Sequence, residues 1–166
     1  DGQGTGGGFA NRKKNWTLVM AFSDAPSVLV HGLFGNLADT KILSAFDNRK
    51  IHVPDLIGYG RFRDSNVQSL TLDDQASHVA AYIRGLGEKK VHLAGHSVGG
   101  AVSALVCALC PDLVASFTSI EGNFTLKDAF WSGQIAEKQE CEVASIINDY
   151  KAEPDSWIAA AGVPIS

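Results

Sequence analysis

Gly95-His96-Ser97-Val98-Gly99, followed by Gly100, separates a strand-like run, Lys90–Ala94, from a helix-like run, Val98–Leu109, that Pro111 stops. The segment matches G-x-S-x-G in the strand-to-turn-to-helix context that gives the pattern its meaning. A serine on so sharp a turn needs neighbours without bulk two positions away on either side. Gly95 and Gly99 occupy those positions. The helix that begins after the serine aims its first amides at any negative charge developing there. The competing reading is a plain glycine-rich turn, and the flanking strand and helix weigh against it.

Moving outward, Ser27–Val30 is apolar and β-branched and runs into His31-Gly32, which predicts a buried strand. Trp16–Phe22 predicts a strand before it. Leu37–Phe46 reads as a helix, Lys50–Pro54 as a short strand, and Asp55–Leu70 as a polar, glycine-punctuated loop. Thr71 caps a helix in which Leu72, Ala76, Val79, Ile83 and Leu86 recur at helical spacing, with Asp74 near its positive end and Gly87 closing it. Val114–Ile120 predicts a further strand. Beyond Gly122, Leu126–Ala136 and Glu140–Ala152 read as helices, and Trp157–Ala161 starts a third. Strands alternating with helices predict a mostly parallel sheet with helices on both faces. Ligands of such sheets collect at the carboxyl ends of the strands, where the motifs here fall.

Composition narrows the function. The chain has 166 residues, 45% hydrophobic and 19% charged, with 14 basic and 18 acidic side chains. That is enough for a real core, and it excludes bulk disorder. A net charge of −4 without a basic stripe argues against nucleic acid as partner. No apolar run reaches the roughly 18 residues of a membrane span, and residues 1–15 show no apolar leader segment. The chain starts with Asp1, not Met, so a preceding segment could have been removed. Residues 1–8 contain a formal G-x-G-x-x-G at Gly2, Gly4 and Gly7, but no strand precedes it, so a linker is the better reading. Cys107 and Cys110 have redox or zinc spacing. They lie in a predicted helix with no second pair and read as small packing residues. Cys141 completes an odd, sparse set that fits a reducing, cytoplasmic setting. No metal and no organic cofactor is implied.

Three motifs stand in order: His31-Gly32-Leu33-Phe34-Gly35, then Asp55-Leu56-Ile57-Gly58-Tyr59-Gly60, then Gly95-His96-Ser97-Val98-Gly99-Gly100. Together they resemble the N-terminal part of an α/β-hydrolase-fold enzyme, over about residues 16–123. The middle turn carries Ile57 and Phe62 where the family usually has Pro and Ser. The resemblance implies that the predicted strands from Ser27 onward are the family's third to sixth. It also implies that Ser97 is the nucleophile and that the Leu33 and Val98 amides form the oxyanion hole. His31, Phe34 and His96 are expected to border the substrate pocket, with His31 bracing its loop rather than moving protons. Residues 1–15 are expected to form a flexible tail. Residues 124–166, with Glu121-Gly122-Asn123-Phe124 and Asp128-Ala129-Phe130-Trp131-Ser132, resemble the start of a helical cap.

The family's order of catalytic groups is serine, acid, histidine. The five histidines, His31, His52, His78, His92 and His96, all precede Ser97. His96 adjoins it, but neighbours on a tight turn point apart. The catalytic His is therefore expected from outside residues 1–166. Glu121, 24 residues after Ser97, is a candidate triad acid; its competing role is to cap the loop with Gly122 and Asn123. The expected function is a serine hydrolase acting on an ester or related carbonyl substrate, an esterase or a carbon–carbon bond hydrolase. The alternative is a non-catalytic relative that binds a small molecule or assembles with a partner. Val114–Ile120 carries no Lys, Pro or charge of the kind that guards natural edges. A homo-oligomer or a second chain is therefore expected to complete the sheet, with no membrane partner.

Overall fold

The computed structural model describes residues 24–35, 37–46, 50–129, 133 and 135–156. The expected tail 1–15, the strand Trp16–Phe22, the Phe130-Trp131-Ser132 run and the helix start at Trp157 lie outside them. Four parallel strands form one sheet in the order β2-β1-β3-β4: β1 Ser27–Val30, β2 Ile51–His52, β3 Val91–His96 and β4 Val114–Ile120. Helices α1 Thr40–Ser44, α2 Leu72–Gly85 and α3 Val98–Leu109 make the crossovers, and α4 Glu140–Ala152 follows. This is the expected alternation, with β1 paired to both β2 and β3.

β1 is buried throughout, as an inner parallel strand must be. Val28 and Val30 join Leu93 of β3, Val79 and Ile83 of α2, and Val102 and Val106 of α3 in the main core. Each such side chain contributes roughly 1.5–3 kcal/mol by leaving water. Cys110 ends α3 inside that core, with its Sγ accepting from Arg84 Nη2 at 2.8 Å. Burial pushes the Cys107 thiol up. Both fit packing roles, and among the described residues no cluster of three or more His, Cys, Asp or Glu could hold a metal ion.

α2 starts where its caps dictate. The Thr71 hydroxyl accepts from Asp74 N–H at 3.1 Å, and the Asp74 carboxylate accepts from Thr71 N–H at 2.9 Å. Gly87 closes the end at φ +72°, the left-handed region that favours glycine. Thr71→Ala is expected to lower stability by about 1 kcal/mol in urea unfolding, without changing the slope. The Thr71 hydroxyl, then its N–H, holds the Asp74 carboxyl below the ordinary aspartate range. That contribution is fully present above the unfolded-state pKa and fades as pH falls through the folded one, so the variant should lose part of the acid limb of its stability profile.

Several elements differ from expectation. The helix expected over Leu37–Phe46 is confined to Thr40–Ser44, because the Asp39 carboxylate accepts from Lys41 N–H at 2.7 Å and starts it late. Strand Lys50–Pro54 contracts to Ile51–His52, while β3 runs two residues past Ala94 to His96. Leu126–Ala136 is not one helix. The Asp128 carboxylate gathers the Phe124 and Thr125 N–H groups at 3.2 and 2.8 Å, which ties residues 124–128 into a turn. Helical backbone is described again at Gly133, Ile135 and Ala136. β4 is mostly exposed along its length, Ile120 at 49%, and α4 buries no residue. Among the described residues nothing pairs with its outer edge.

Candidate functional site

The carboxyl end of β3 delivers the chain to Ser97, which has φ +56° and ψ −127°. A non-glycine residue there is strained, and such strain persists only where its surroundings enforce it. Here they do. Ser97 N–H donates to the Ile120 carbonyl of β4 at 3.0 Å. Its own carbonyl accepts from Gly100 N–H at 2.9 Å and Asn123 N–H at 3.1 Å. The side chain does not cap α3, so its hydroxyl is not spent on the helix.

The surrounding glycines record close backbone approach. A Cβ at Gly95 would overlap the Gly99 carbonyl, and one at Gly99 would overlap the Val30 and His31 carbonyls. A Cβ at Gly32 would sit 2.8 Å from that of Ser97, so the His31–Gly35 loop lies directly against the turn. Sequence reasoning brought these two segments together by motif, and the packing does bring them together.

His31 is fully buried. Its Nε2 accepts from Leu56 N–H at 3.2 Å and its Nδ1 faces the Gly32 carbonyl at 2.8 Å, which assigns the proton to Nδ1. The ring meets Tyr59 edge-on at 4.8 Å. This is a loop brace, as read, and a ring so enclosed cannot also border an open pocket. Phe34 is 58% exposed on the same loop. His96 places Nε2 3.9 Å from the Glu121 Oε2 across an exposed gap, and its Nδ1 lies beside Gly32, as the Ser97 Cβ does. Glu121 itself has φ +49°, a second strained residue beside the turn.

The other histidines are engaged elsewhere. His52 faces the Tyr82 hydroxyl at 3.4 Å, His78 the Asp55 carbonyl at 3.0 Å and His92 the Ser116 hydroxyl at 2.7 Å. Among the described residues no histidine hydrogen-bonds the Ser97 hydroxyl.

A cavity of about 380 Å³ adjoins the turn, within the roughly 300–1,000 Å³ range of small-molecule sites. Leu33 and Val98 both line it; His31, Phe34 and His96 do not. Two residues that sequence reasoning missed shape it. The Tyr59 hydroxyl donates to the Leu33 carbonyl at 2.8 Å, and burial pushes its pKa up, which keeps the donor protonated. The Gln75 side chain accepts from Ile57 N–H and donates to the Ile57 carbonyl, both at 2.9 Å. A signal existed for Gln75, a polar residue on the apolar stripe of α2 between Leu72 and Val79.

Among the described residues no helix is long and apolar enough to cross a membrane. A model of the alpha/beta hydrolase fold matches residues 27–140. The chain is 37% identical over 113 residues to the dihydrolipoyllysine-residue acetyltransferase component of the acetoin cleaving system of Pseudomonas putida, covering 66% of this chain and 30% of that protein. It is 34% identical over 99 residues to a triacylglycerol lipase of Vibrio cholerae, covering 58% and 32%. Among solved structures, a thermophilic esterase from Thermogutta terrifontis superposes with TM-score 0.51 at 28% identity, over 60% of this chain and 37% of that one. The chain thus spans about a third of the length of the curated relatives it matches.

Proposed function

The chain belongs to the alpha/beta hydrolase fold family, and from that premise we propose that it is the nucleophile-bearing part of an ester hydrolase with Ser97 as nucleophile. One observation carries the reading. Ser97 sits in strained backbone at the head of α3, with its hydroxyl free of any capping bond to that helix and the Gly32 loop packed against it. The lipase and esterase among the relatives support an ester as substrate.

In this reading the Ser97 hydroxyl attacks the ester carbonyl carbon while a histidine from outside residues 1–166 takes its proton. The Leu33 and Val98 amides hold the negative oxygen, and the Tyr59 hydroxyl keeps the Leu33 peptide in place. The carbon–alkoxy bond then breaks. The alcohol leaves with the histidine's proton, and water releases the acid from Ser97 by the same steps. Glu121 is the acid that orients the histidine, and Phe34 and His96 flank the entrance. Residues 16–123 form the N-terminal part of the catalytic core and 124–166 begin a cap. The open edge of β4 is the seat of a second copy or of a second chain that completes the sheet. Three unpaired cysteines support a reducing, cytoplasmic setting. Neither metal nor organic cofactor takes part.

The full-length protein should hydrolyse p-nitrophenyl butyrate with a burst of one p-nitrophenolate per Ser97, the mark of an acyl-enzyme. Among the described residues no histidine hydrogen-bonds the Ser97 hydroxyl, which favours a second reading, a non-catalytic relative that binds its ligand without turning it over. Absence of both burst and turnover would decide for that reading.

A further inference from the structure

We propose that Tyr59 is a positioning residue for the reaction: through the Leu33 peptide, its hydroxyl keeps the Leu33 amide aimed at the reacting oxygen. The inference rests on the hydrolase reading above. The Leu33 amide needs such support. It belongs to the Gly32–Leu33 peptide, and Gly32 lacks the side chain that would restrict its backbone. A stiffer residue cannot replace it, because a Cβ there would lie 2.8 Å from that of Ser97. A peptide beside glycine turns over readily, and once turned it would present its carbonyl, not its N–H, to the developing charge.

Two bonds oppose that turn, one on each side of the amide. The Gly32 carbonyl, on the same peptide, accepts from His31 Nδ1–H at 2.8 Å, which also polarises the amide as a donor. The Leu33 carbonyl, on the next peptide, accepts from the Tyr59 hydroxyl at 2.8 Å. Both donors are held from the Asp55–Gly60 segment. Leu56 N–H bonds His31 Nε2 at 3.2 Å, Tyr59 N–H bonds the Leu56 carbonyl at 3.0 Å, and Gln75 of α2 ties both polar groups of Ile57. The Tyr59 ring meets His31 edge-on, so the two braces steady each other. Burial raises the Tyr59 pKa, so its hydroxyl stays a donor throughout the neutral range. Among the described residues neither the Leu33 nor the Val98 N–H donates to a backbone carbonyl, so the held amide is not spent on the fold.

The test is Tyr59→Phe in the full-length protein, which keeps the ring and its contact with His31 and removes one oxygen. Active sites are counted by fluorophosphonate incorporation at completion. Turnover of p-nitrophenyl butyrate per site should fall about 10- to 100-fold with KM nearly unchanged, part of the roughly 10²–10³-fold that loss of a whole oxyanion donor costs. The second readout is the ratio of kcat/KM on this ester to kcat/KM on its thiono analogue, in which sulfur replaces the carbonyl oxygen. Sulfur accepts hydrogen bonds poorly, so the wild type should prefer the oxygen ester, and Tyr59→Phe should cut that preference at least about fivefold. A variant that is merely less stable would incorporate less fluorophosphonate and keep both its turnover per site and its ratio. Unchanged turnover per site, a rise in KM in place of the fall in kcat, or a fall shared equally by ester and thionoester overturns the positioning role alone. A wild type that neither turns over the ester nor takes up fluorophosphonate overturns the hydrolase reading and this inference with it.

Discussion

Ser97→Ala is expected to lower turnover of p-nitrophenyl butyrate by about 10⁴-fold or more while leaving the circular dichroism spectrum unchanged. The expectation of a large kinetic and small structural effect follows from how the residue is held. Its backbone amide and carbonyl are anchored to β4, to Gly100 and to Asn123, and alanine keeps all three bonds. Its hydroxyl does not cap α3. Removing the oxygen therefore deletes the reacting group and little else. Because members of a triad act as a unit, adding Glu121→Gln to Ser97→Ala should cost almost nothing further. A Ser97→Ala protein retaining a tenth or more of the wild-type rate would place the nucleophile elsewhere.

Gly99→Ala should produce a large structural effect for a single added methyl group. The added carbon would overlap the Val30 and His31 carbonyls at the end of β1. These are backbone atoms in a buried strand and cannot rotate away, so α3 must back off from the sheet. Overpacking of this kind costs about 3 kcal/mol, a large share of the roughly 5–15 kcal/mol that holds a domain together. The shift would also move Val98 and Ser97, and activity should fall at least about 100-fold even where the protein still folds. Gly85→Ala is the contrast. It ends α2 with open space around it, and there alanine should be neutral or stabilise by up to about 1 kcal/mol. Urea unfolding of the two variants side by side reads the difference. Equal midpoints would mean that the tight turn at Ser97 is not packed as described.

The parts of the fold that were legible in the sequence are those governed by local rules. α3, β4 and α4 occupy the residues expected of them because glycine, proline and apolar periodicity mark their ends. The cap of α2 could be read from Thr71 and Asp74 alone. Where a side chain two to four residues away decided the boundary, the reading overran, as at Asp39 before α1 and at Asp128 within Leu126–Ala136. The site divides in the same way. The placement of Ser97 at the turn, with the Leu33 loop against it and Val98 at the head of α3, was legible because a sharp turn and a close loop demand glycine at fixed offsets. The direction of the His31 ring was not, because it depends on an amide 25 residues away in Leu56. The Tyr59 and Gln75 contacts, 26 and 18 residues apart in sequence, exist only once α2 and the loop before it have packed. No local pattern announces a bond of that span.

Peptide mapping reads out directly whether Ser97 is the residue that becomes acylated. The full-length protein is treated with a fluorophosphonate, digested, and its peptides analysed by tandem mass spectrometry. A single phosphonylated peptide is expected, with the added mass on Ser97 and neither on Ser103 nor on any other serine. A protein that is folded and left unmodified, or modified at a different serine, would contradict it.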